Sequence, residues 1–270
     1  MSNDTPDMEI ITALAKRRGF VYPSSYIYGG FAGVYDFGPY GVLLANNLKQ
    51  AWWQAMVQQE DGIVGLDSAI VTHPKVWEAS GHVGGFSDPL VECKSCNNRF
   101  RADHLLEGVG AFADEKMSLE EINTLFDSHR KDISCPTCGK KEFTEIRKFN
   151  LLVQSNLGNF ASDWTQNPTY LRGETCQGIY INFKNVVDTS RVKVPFGIAQ
   201  IGKAFRNEIA PRQYIFRARE FEQMEMQLFV EPGKDMELYE VWKEKRWKYY
   251  IDLGFREENL KWHQHENLVF

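Results

Sequence analysis

Residues Val194 to Val230, VPFGIAQIGKAFRNEIAPRQYIFRAREFEQMEMQLFV, decide how the rest of the chain is read. Two apolar-rich runs flank a short polar loop, Ala210 to Tyr214, punctuated by Pro211, so the stretch predicts an antiparallel hairpin. Successive side chains of a strand point to opposite faces. That puts Gly202, Ala204, Arg206 and Glu208 on one face of the first strand and Ile201, Phe205 and Ile209 on the other. The return strand divides more sharply: Arg217, Arg219, Phe221, Gln223 and Glu225 share a face, backed by Met224, Met226, Leu228 and Val230. A carboxylate pair, three arginines and one aromatic ring converge on one surface. The arginine fork matches phosphate oxygens, and a lone ring offers a platform to a base. A solvated, salt-bridged outer face of a half-buried sheet is the other reading of the same pattern.

Working outward, the 270 residues are 43% hydrophobic and 25% charged, which suffices for one sizeable core with or without an insertion. The net charge of -5 gives no global basic field, so any nucleic-acid contact must be a local patch. There is no apolar run long enough to span a bilayer, and the acidic start lacks the basic end of a signal peptide. A cytoplasmic protein without membrane partners is expected. Asp7 to Arg18 reads as a helix stopped by Gly19. The glycine-dense run Gly29 to Gly41 lacks the Lys-Ser/Thr ending of a phosphate loop and reads as a turn-rich connector. Val42 to Gln59 has Leu44, Leu48, Trp52, Ala55 and Met56 at helical spacing, and a strand is expected over Ile63 to Thr72. Trp52-Trp53 is either core or interface. His82 carries no assigned chemistry, and His263-Gln264-His265 is read as surface. Lys234 to Leu253, with Met236, Leu238, Val241 and Trp242, reads as an amphipathic helix stopped by Gly254.

Cys93-Lys94-Ser95-Cys96 and Cys135-Pro136-Thr137-Cys138 form two CxxC knuckles separated by residues 97–134. Thiolates so spaced reach one ion, and four of them close a tetrahedral site, so Cys93, Cys96, Cys135 and Cys138 are read as structural zinc ligands. Between the knuckles, Ser118 to His129 reads as a helix opened by a capping box.

Phe205-Arg206-Asn207-Glu208, the loop, and Arg217-Ala218-Arg219-Glu220-Phe221-Glu222-Gln223-Met224-Glu225 resemble motif 2 of the class II aminoacyl-tRNA synthetases. Together with Tyr170 to Gly178 and Tyr28 to Gly41, they make the chain similar to the homodimeric glycyl-tRNA synthetases, from about the first helix to the last residue. The resemblance implies an α+β fold, a class II antiparallel sheet flanked by helices. Residues 1–90 and 149–270 would form a catalytic domain incomplete at its C-terminus, and 91–148 a small zinc-ribbon-like insertion. It implies ATP-dependent activation of glycine and transfer to the acceptor end of tRNA(Gly), with Mg2+ and Zn2+ as metals. A homodimer would form through the 42–59 helix and the strand after it, which correspond to motif 1, although Ala69 stands where that motif usually has proline.

Carried over residue by residue, Arg206 would hold the α-phosphate, Glu208 the adenine amino group, Phe221 the adenine face and Arg217 the distal phosphates, with Asn207, Phe216 and Arg219 completing the nucleotide set. Glu174 and Glu225 would hold the substrate ammonium, with Phe221 and Arg101 on the substrate side; a surface arginine beside a knuckle is the other reading of Arg101. Arg172-Gly173-Glu174-Thr175 has glycine where the family has proline, and Cys176 stands where the family has a small residue. Motif 3 and the anticodon-binding domain do not occur before Phe270, so the resemblance implies a truncated chain of little or no activity alone. Two alternatives are a non-catalytic, zinc-binding, dimerising fragment and a synthetase of the same subclass for another amino acid.

Overall fold

A computed structural model describes residues 7–114, 117–157, 168–209 and 214–263. The expected hairpin loop over 210–213 and the histidine stretch beyond 263 lie outside the described residues. In chain order the elements are α1 (Met8–Arg17), β1 (Val21–Pro23), β2 (Tyr35–Phe37), α2 (Pro39–Trp53), β3 (Ile63–Gly65), β4 (Val71–Thr72), α3 (Pro74–Ala79), α4 (His82–Gly85), β5 (Ser87–Glu92), β6 (Arg99–Arg101), α5 (Ala102–Glu107) and α6 (Leu119–His129). Then follow β7 (Arg147–Asn150), β8 (Val153–Asn156), β9 (Pro168–Leu171), α7 (Cys176–Ser190), β10 (Phe196–Phe205), β11 (Glu220–Phe229) and α8 (Asp235–Asp252). The architecture is α+β, and among the described residues the strands form four small sheets.

The hairpin forms in the register that the alternation requires: Phe196 lies opposite Phe229, Gln200 opposite Glu225, Gly202 opposite Gln223 and Ala204 opposite Phe221. Its strands are shorter than expected. They end at Phe205 and Glu220, with one more backbone bond from Arg206 N to Arg219 O at 2.9 Å. Beyond it the Arg219 guanidinium takes the Glu208 carbonyl, Nε to O 2.7 Å, and Tyr214–Phe216 coils into a 3-10 turn. Ile209 and Arg217 therefore lie outside the ladder.

One face of the hairpin packs Ala199, Ile201, Met224, Met226 and Leu228 against Trp52, Met56, Trp242 and Tyr249 from α2, the turn after it and α8. Trp52 is thus core, and of the expected α8 stripe Trp242 packs inward while Met236 and Val241 remain exposed. The opposite face is covered at one end by α7, where Ile179, Phe183 and Val186 pack on Phe196, Ile198 and Phe229. Its other end meets α7 at that helix's N-terminal turns, through Cys176 and Tyr180, and carries the polar residues. The charged face is therefore half roofed rather than an outer solvated surface.

α2 opens three residues earlier than expected, because Pro39 stands at its first turn, where a missing N–H costs nothing and the fixed φ suits the helix. A single π turn, Gln54–Gln58, ends the expected 42–59 helix. The glycine-dense run contains β2 and the start of α2, and a Cβ at Gly41 would come within 1.9 Å of the Phe20 carbonyl. Close packing, not a phosphate cradle, requires that glycine. The strand expected over 63–72 divides in two: β3 runs parallel beside β10, and β4 pairs with β9 in another sheet. Between them the Ser68 N–H bonds the Gln200 side chain at 3.1 Å and the Ser68 carbonyl bonds Arg172 at 2.6 Å, so side chains take over from a ladder there.

Residues 91–146 build a core of their own. Val91, Phe100, Leu106, Ile122, Phe126, Ile133 and Phe143 are buried together, beside the sheet β6-β5-β7. α6 starts with the expected capping box between Ser118 and Glu121.

Candidate active site and metal centre

The site lies at the polar end of this hairpin face. Arg206 leaves the end of β10 with its guanidinium between two rings, 5.3 Å from the centroid of Phe221 and 5.3 Å from that of Phe86. Its Nε donates to the Gly173 carbonyl at 3.1 Å, and Nη2 stands 4.0 Å from Glu174 Oε2. Glu208 is nearly buried and accepts from Arg217 Nε at 2.7 Å. Arg219 stacks over Phe31, 5.5 Å from the ring, and donates to the Ala32 and Glu208 carbonyls. Asn207 N–H bonds the Leu151 carbonyl at 2.7 Å.

Arg101 stands on the far side of the same cluster: Nη1 meets Asp88 at 2.9 Å and Nη2 meets Asp103 at 2.5 Å, while Asp88 lies 3.9 Å from Arg217. Burial pushes the Asp88 carboxyl up, against the pull of Arg101. Phe216, on the 3-10 turn, is three-quarters exposed.

Next to Arg206 the segment Arg172-Gly173-Glu174-Thr175 crosses the hairpin. Arg172, 4% exposed, donates from Nε to the Lys203 carbonyl at 2.5 Å and from Nη1 to the Ser68 carbonyl at 2.6 Å, which anchors the segment to β10. There is room for it because residue 202 is glycine: a Cβ there would lie 2.1 Å from Arg172 Nη2. Thr175 N–H then bonds Gln223 Oε1 at 3.1 Å, and Thr175 Oγ1 donates to Glu225 Oε2 at 2.5 Å. Gln227 Nε2 donates to the other oxygen, Glu225 Oε1, at 2.6 Å. Glu174 accepts from Gln177 Nε2 at 2.5 Å and lies 3.2 Å from His82 Nε2. The consecutive residues Glu174 and Thr175 thus tie two carboxylates into one polar wall, one beside a guanidinium and the other held by neutral donors. Among the described residues neither oxygen of Glu225 forms an ion pair.

His82, to which the sequence assigned nothing, belongs to this wall, with its ring against Trp77 and Phe86 at 5.1 and 5.0 Å. Gln177, Gln227, Phe86 and Asp88 were also missed. Only Gln227 had a signal, the same strand parity as Glu225. A cavity of about 390 Å³ opens behind Glu174, between Leu66 to His73, Trp77 and α7.

Away from this pocket, Cys93, Cys96, Cys135 and Cys138 bring their sulfurs within 4.8 Å of one another, with Cys93 and Cys138 at 3.6 Å and Cys96 and Cys135 at 3.6 Å. A tetrahedron of sulfurs about 2.3 Å from a central ion has edges of about 3.8 Å. The cluster fits one metal ion with no open position. The Asn98 backbone N–H holds the Cys96 thiol down, to about 6, whereas, against the Lys140 backbone N–H, burial and the other three cysteines push the Cys138 thiol up to about 12, so the metal reading rests on the sulfur geometry.

Residues 159–267 match the class II core domain of tRNA synthetases for G, H, P, S and T. The chain is 52% identical over 265 residues to the glycine-tRNA ligase of Clostridium kluyveri, covering 96% of this chain and 56% of that one. It is 51% identical to the glycine-tRNA ligase of Treponema denticola, covering 98% and 54%. The chain is homologous to the glycine-tRNA ligases. It spans a little over half the length of these relatives. Solved structures with a similar fold include a domain of threonyl-tRNA synthetase from Cryptosporidium parvum, at a TM-score of 0.55 and 16% identity, covering 90% of this chain and 42% of that one. Prolyl-tRNA synthetase from the same organism gives 0.54 and 12%, covering 94% and 36%. The fold is that of a class II synthetase core, as the motif 2 resemblance implied.

Proposed function

We propose that this chain is the ATP- and glycine-binding part of a glycine-tRNA ligase, which joins glycine to AMP and passes it to the acceptor end of tRNA(Gly). The observation that carries the reading is the adjacency of unlike halves: the Arg206 guanidinium, on the Phe221 ring, is 4.0 Å from Glu174, whose chain neighbour Thr175 donates to Glu225. A phosphate on Arg206 and an ammonium between the carboxylates would bring the glycine carboxylate to the α-phosphorus. Its oxygen attacks, the bond to pyrophosphate breaks, and glycyl-adenylate forms. Positioning and charge neutralisation supply the catalysis, so no side-chain nucleophile is needed.

In this reading Arg206 and Glu208 are the catalytic pair, on the α-phosphate and the adenine amino group. Arg217 takes the distal phosphates, with Asn207, Phe216 and Arg219 at the nucleotide's edge. Arg217 first has to give up part of its contact with Glu208. Mg2+ would neutralise charge on the phosphates when bound. Glu174, Glu225 and Phe221 bind glycine, and Arg101 acts from behind through Asp88. Selection rests on the ammonium, since glycine offers no side chain to grip. Zinc in the four-cysteine cluster would be structural and would make 91–148 a unit separate from the catalytic domain of 1–90 and 149–270. The exposed Val42, Leu43, Leu44 and Leu48 of α2 support pairing with a second copy, in a cytoplasmic enzyme.

Calorimetric titration with ATP tests the nucleotide half. Arg206→Ala and Phe221→Ala should each weaken ATP by about tenfold, the worth of one charge-assisted or stacking contact. Unchanged affinity in both variants would place the nucleotide elsewhere. Pyrophosphate exchange with glycine, against serine and alanine, tests the amino-acid half in the full-length enzyme.

A further inference from the structure

We propose that Gln227, itself held by Tyr180, is a positioning residue of the amino-acid pocket: its amide fixes the Glu225 carboxylate in place to receive the substrate ammonium. The inference rests on the reading of that pocket given above and adds residues that the motifs do not contain. Gln227 and Glu225 stand two apart on β11, hence on one face, with Gln227 Nε2 2.6 Å from Glu225 Oε1. An unheld glutamine amide turns freely and presents either end. Here the Tyr180 hydroxyl donates to Gln227 Oε1 at 3.2 Å, which leaves the donor end facing the carboxylate. Cys176 Sγ lies 3.7 Å from the same Nε2 and takes its second hydrogen. Cys176 and Tyr180 are four residues apart on α7 and so stack on one side of that helix, which clamps the amide from above. The Tyr180 ring is braced in turn against Phe229, centroids 6.1 Å apart.

Thr175 completes the arrangement from the opposite side, through Oε2 at 2.5 Å. Glu225 is therefore oriented at both oxygens by donors that carry no charge. A lysine or arginine in their place would orient it equally well but would neutralise it and compete with the ligand. Neutral dipoles orient the carboxylate and leave its charge uncompensated until an ammonium arrives. Burial pushes the Tyr180 phenol up to about 12, so it remains a donor across the neutral range.

The test uses this chain and two probes, AMP and the stable adenylate mimic 5′-O-(glycylsulfamoyl)adenosine, titrated by calorimetry. Gln227→Leu keeps the approximate volume and removes the donor, and Tyr180→Phe removes one hydroxyl and keeps the ring. We expect Gln227→Leu to weaken the glycyl mimic about tenfold and Tyr180→Phe to weaken it less, with AMP binding as in the parent. If the parent binds neither probe, the reading of the pocket falls and this inference with it. If the parent binds both, and Gln227→Leu shows the parental affinity for the mimic, the role of Gln227 is overturned and the pocket stands. Equal loss of both probes in Gln227→Leu would also overturn it, by reducing Gln227 to a packing residue.

Discussion

Replacing Gly202 by alanine should destabilise the fold where the Arg172 to Thr175 segment is fastened to β10. A Cβ at this position would lie 2.1 Å from Arg172 Nη2 and 3.0 Å from its Cζ, so the guanidinium would have to retreat by more than 1 Å. It has nowhere to go. Arg172 is 4% exposed, and a retreat of that size stretches the bonds from Nε to the Lys203 carbonyl, now 2.5 Å, and from Nη1 to the Ser68 carbonyl, now 2.6 Å. Each is a charge-assisted bond worth about 1.5–3 kcal/mol, and water cannot replace them at a buried site. The expected loss is roughly 3–5 kcal/mol, opposed by up to about 1 kcal/mol that alanine gains over glycine in a strand. Urea unfolding measures it. Arg172→Met removes the opposing group, and in that background Gly202→Ala should cost less than about 1 kcal/mol, so the double-mutant cycle should return a coupling of at least about 2 kcal/mol. A loss below about 1 kcal/mol for Gly202→Ala alone, or additivity in the cycle, refutes the argument.

Protein purified without chelator should carry one metal ion per chain by elemental analysis, and Cys93→Ser or Cys138→Ser should lower that figure and open residues 91–146 to proteolysis. Burial pushes the Cys176 thiol up to about 11; at pH 8 only about 0.1% is thiolate, so mass mapping should find it alkylated at least a hundredfold more slowly than a free cysteine of pKa about 8.5, with the rate rising steadily toward pH 11. Leu44→Asp, on the exposed stripe of α2, should convert a sedimenting species of twice 31.2 kDa into monomer without lowering the unfolding midpoint; a parent chain that sediments as monomer removes α2 as the pairing surface.

The hairpin was legible because a strand's period of two is rigid: once Phe221 and Glu225 are placed on one face, Gly202 and Ala204 must lie opposite them, as the register has it. Helix punctuation was legible for the same kind of local reason, at Asp7 and Gly19 for α1 and at Ser118 and Glu121 for α6. Apart from the early start of α2 at Pro39, the larger departures are cases where a distant side chain intervenes. Ser68 breaks the expected 63–72 strand because Gln200 and Arg172, remote in sequence, claim its backbone. The hairpin strands stop short because the Arg219 guanidinium, not a backbone N–H, takes the Glu208 carbonyl. The α8 stripe was misplaced because burial there follows the position of Trp52 and Met56, which spacing within α8 cannot express.

The same distinction divides the candidate site. Residues that would touch phosphate, base or ammonium lie within short motifs, since the hairpin and the Arg172 to Thr175 segment must present them at fixed spacing. The residues that aim them are scattered: His82 and Gln177 on Glu174, Thr175 and Gln227 on Glu225, Asp88 between Arg101 and Arg217, Gly202 beneath Arg172. Their chemistry is ordinary and any one of them could be read as core or surface. They act only because the fold carries α4, β5 and α7 to the same end of the hairpin. Arg172 makes the point most sharply. It stands in a motif valued for its neighbour Glu174, yet its own charge is spent on two carbonyls, fastening to β10 the segment that presents Glu174. A loss of glycine recognition after a change at Gly202, which lies opposite Gln223 and beneath the Arg172 guanidinium, would therefore be a loss of aim rather than of contact.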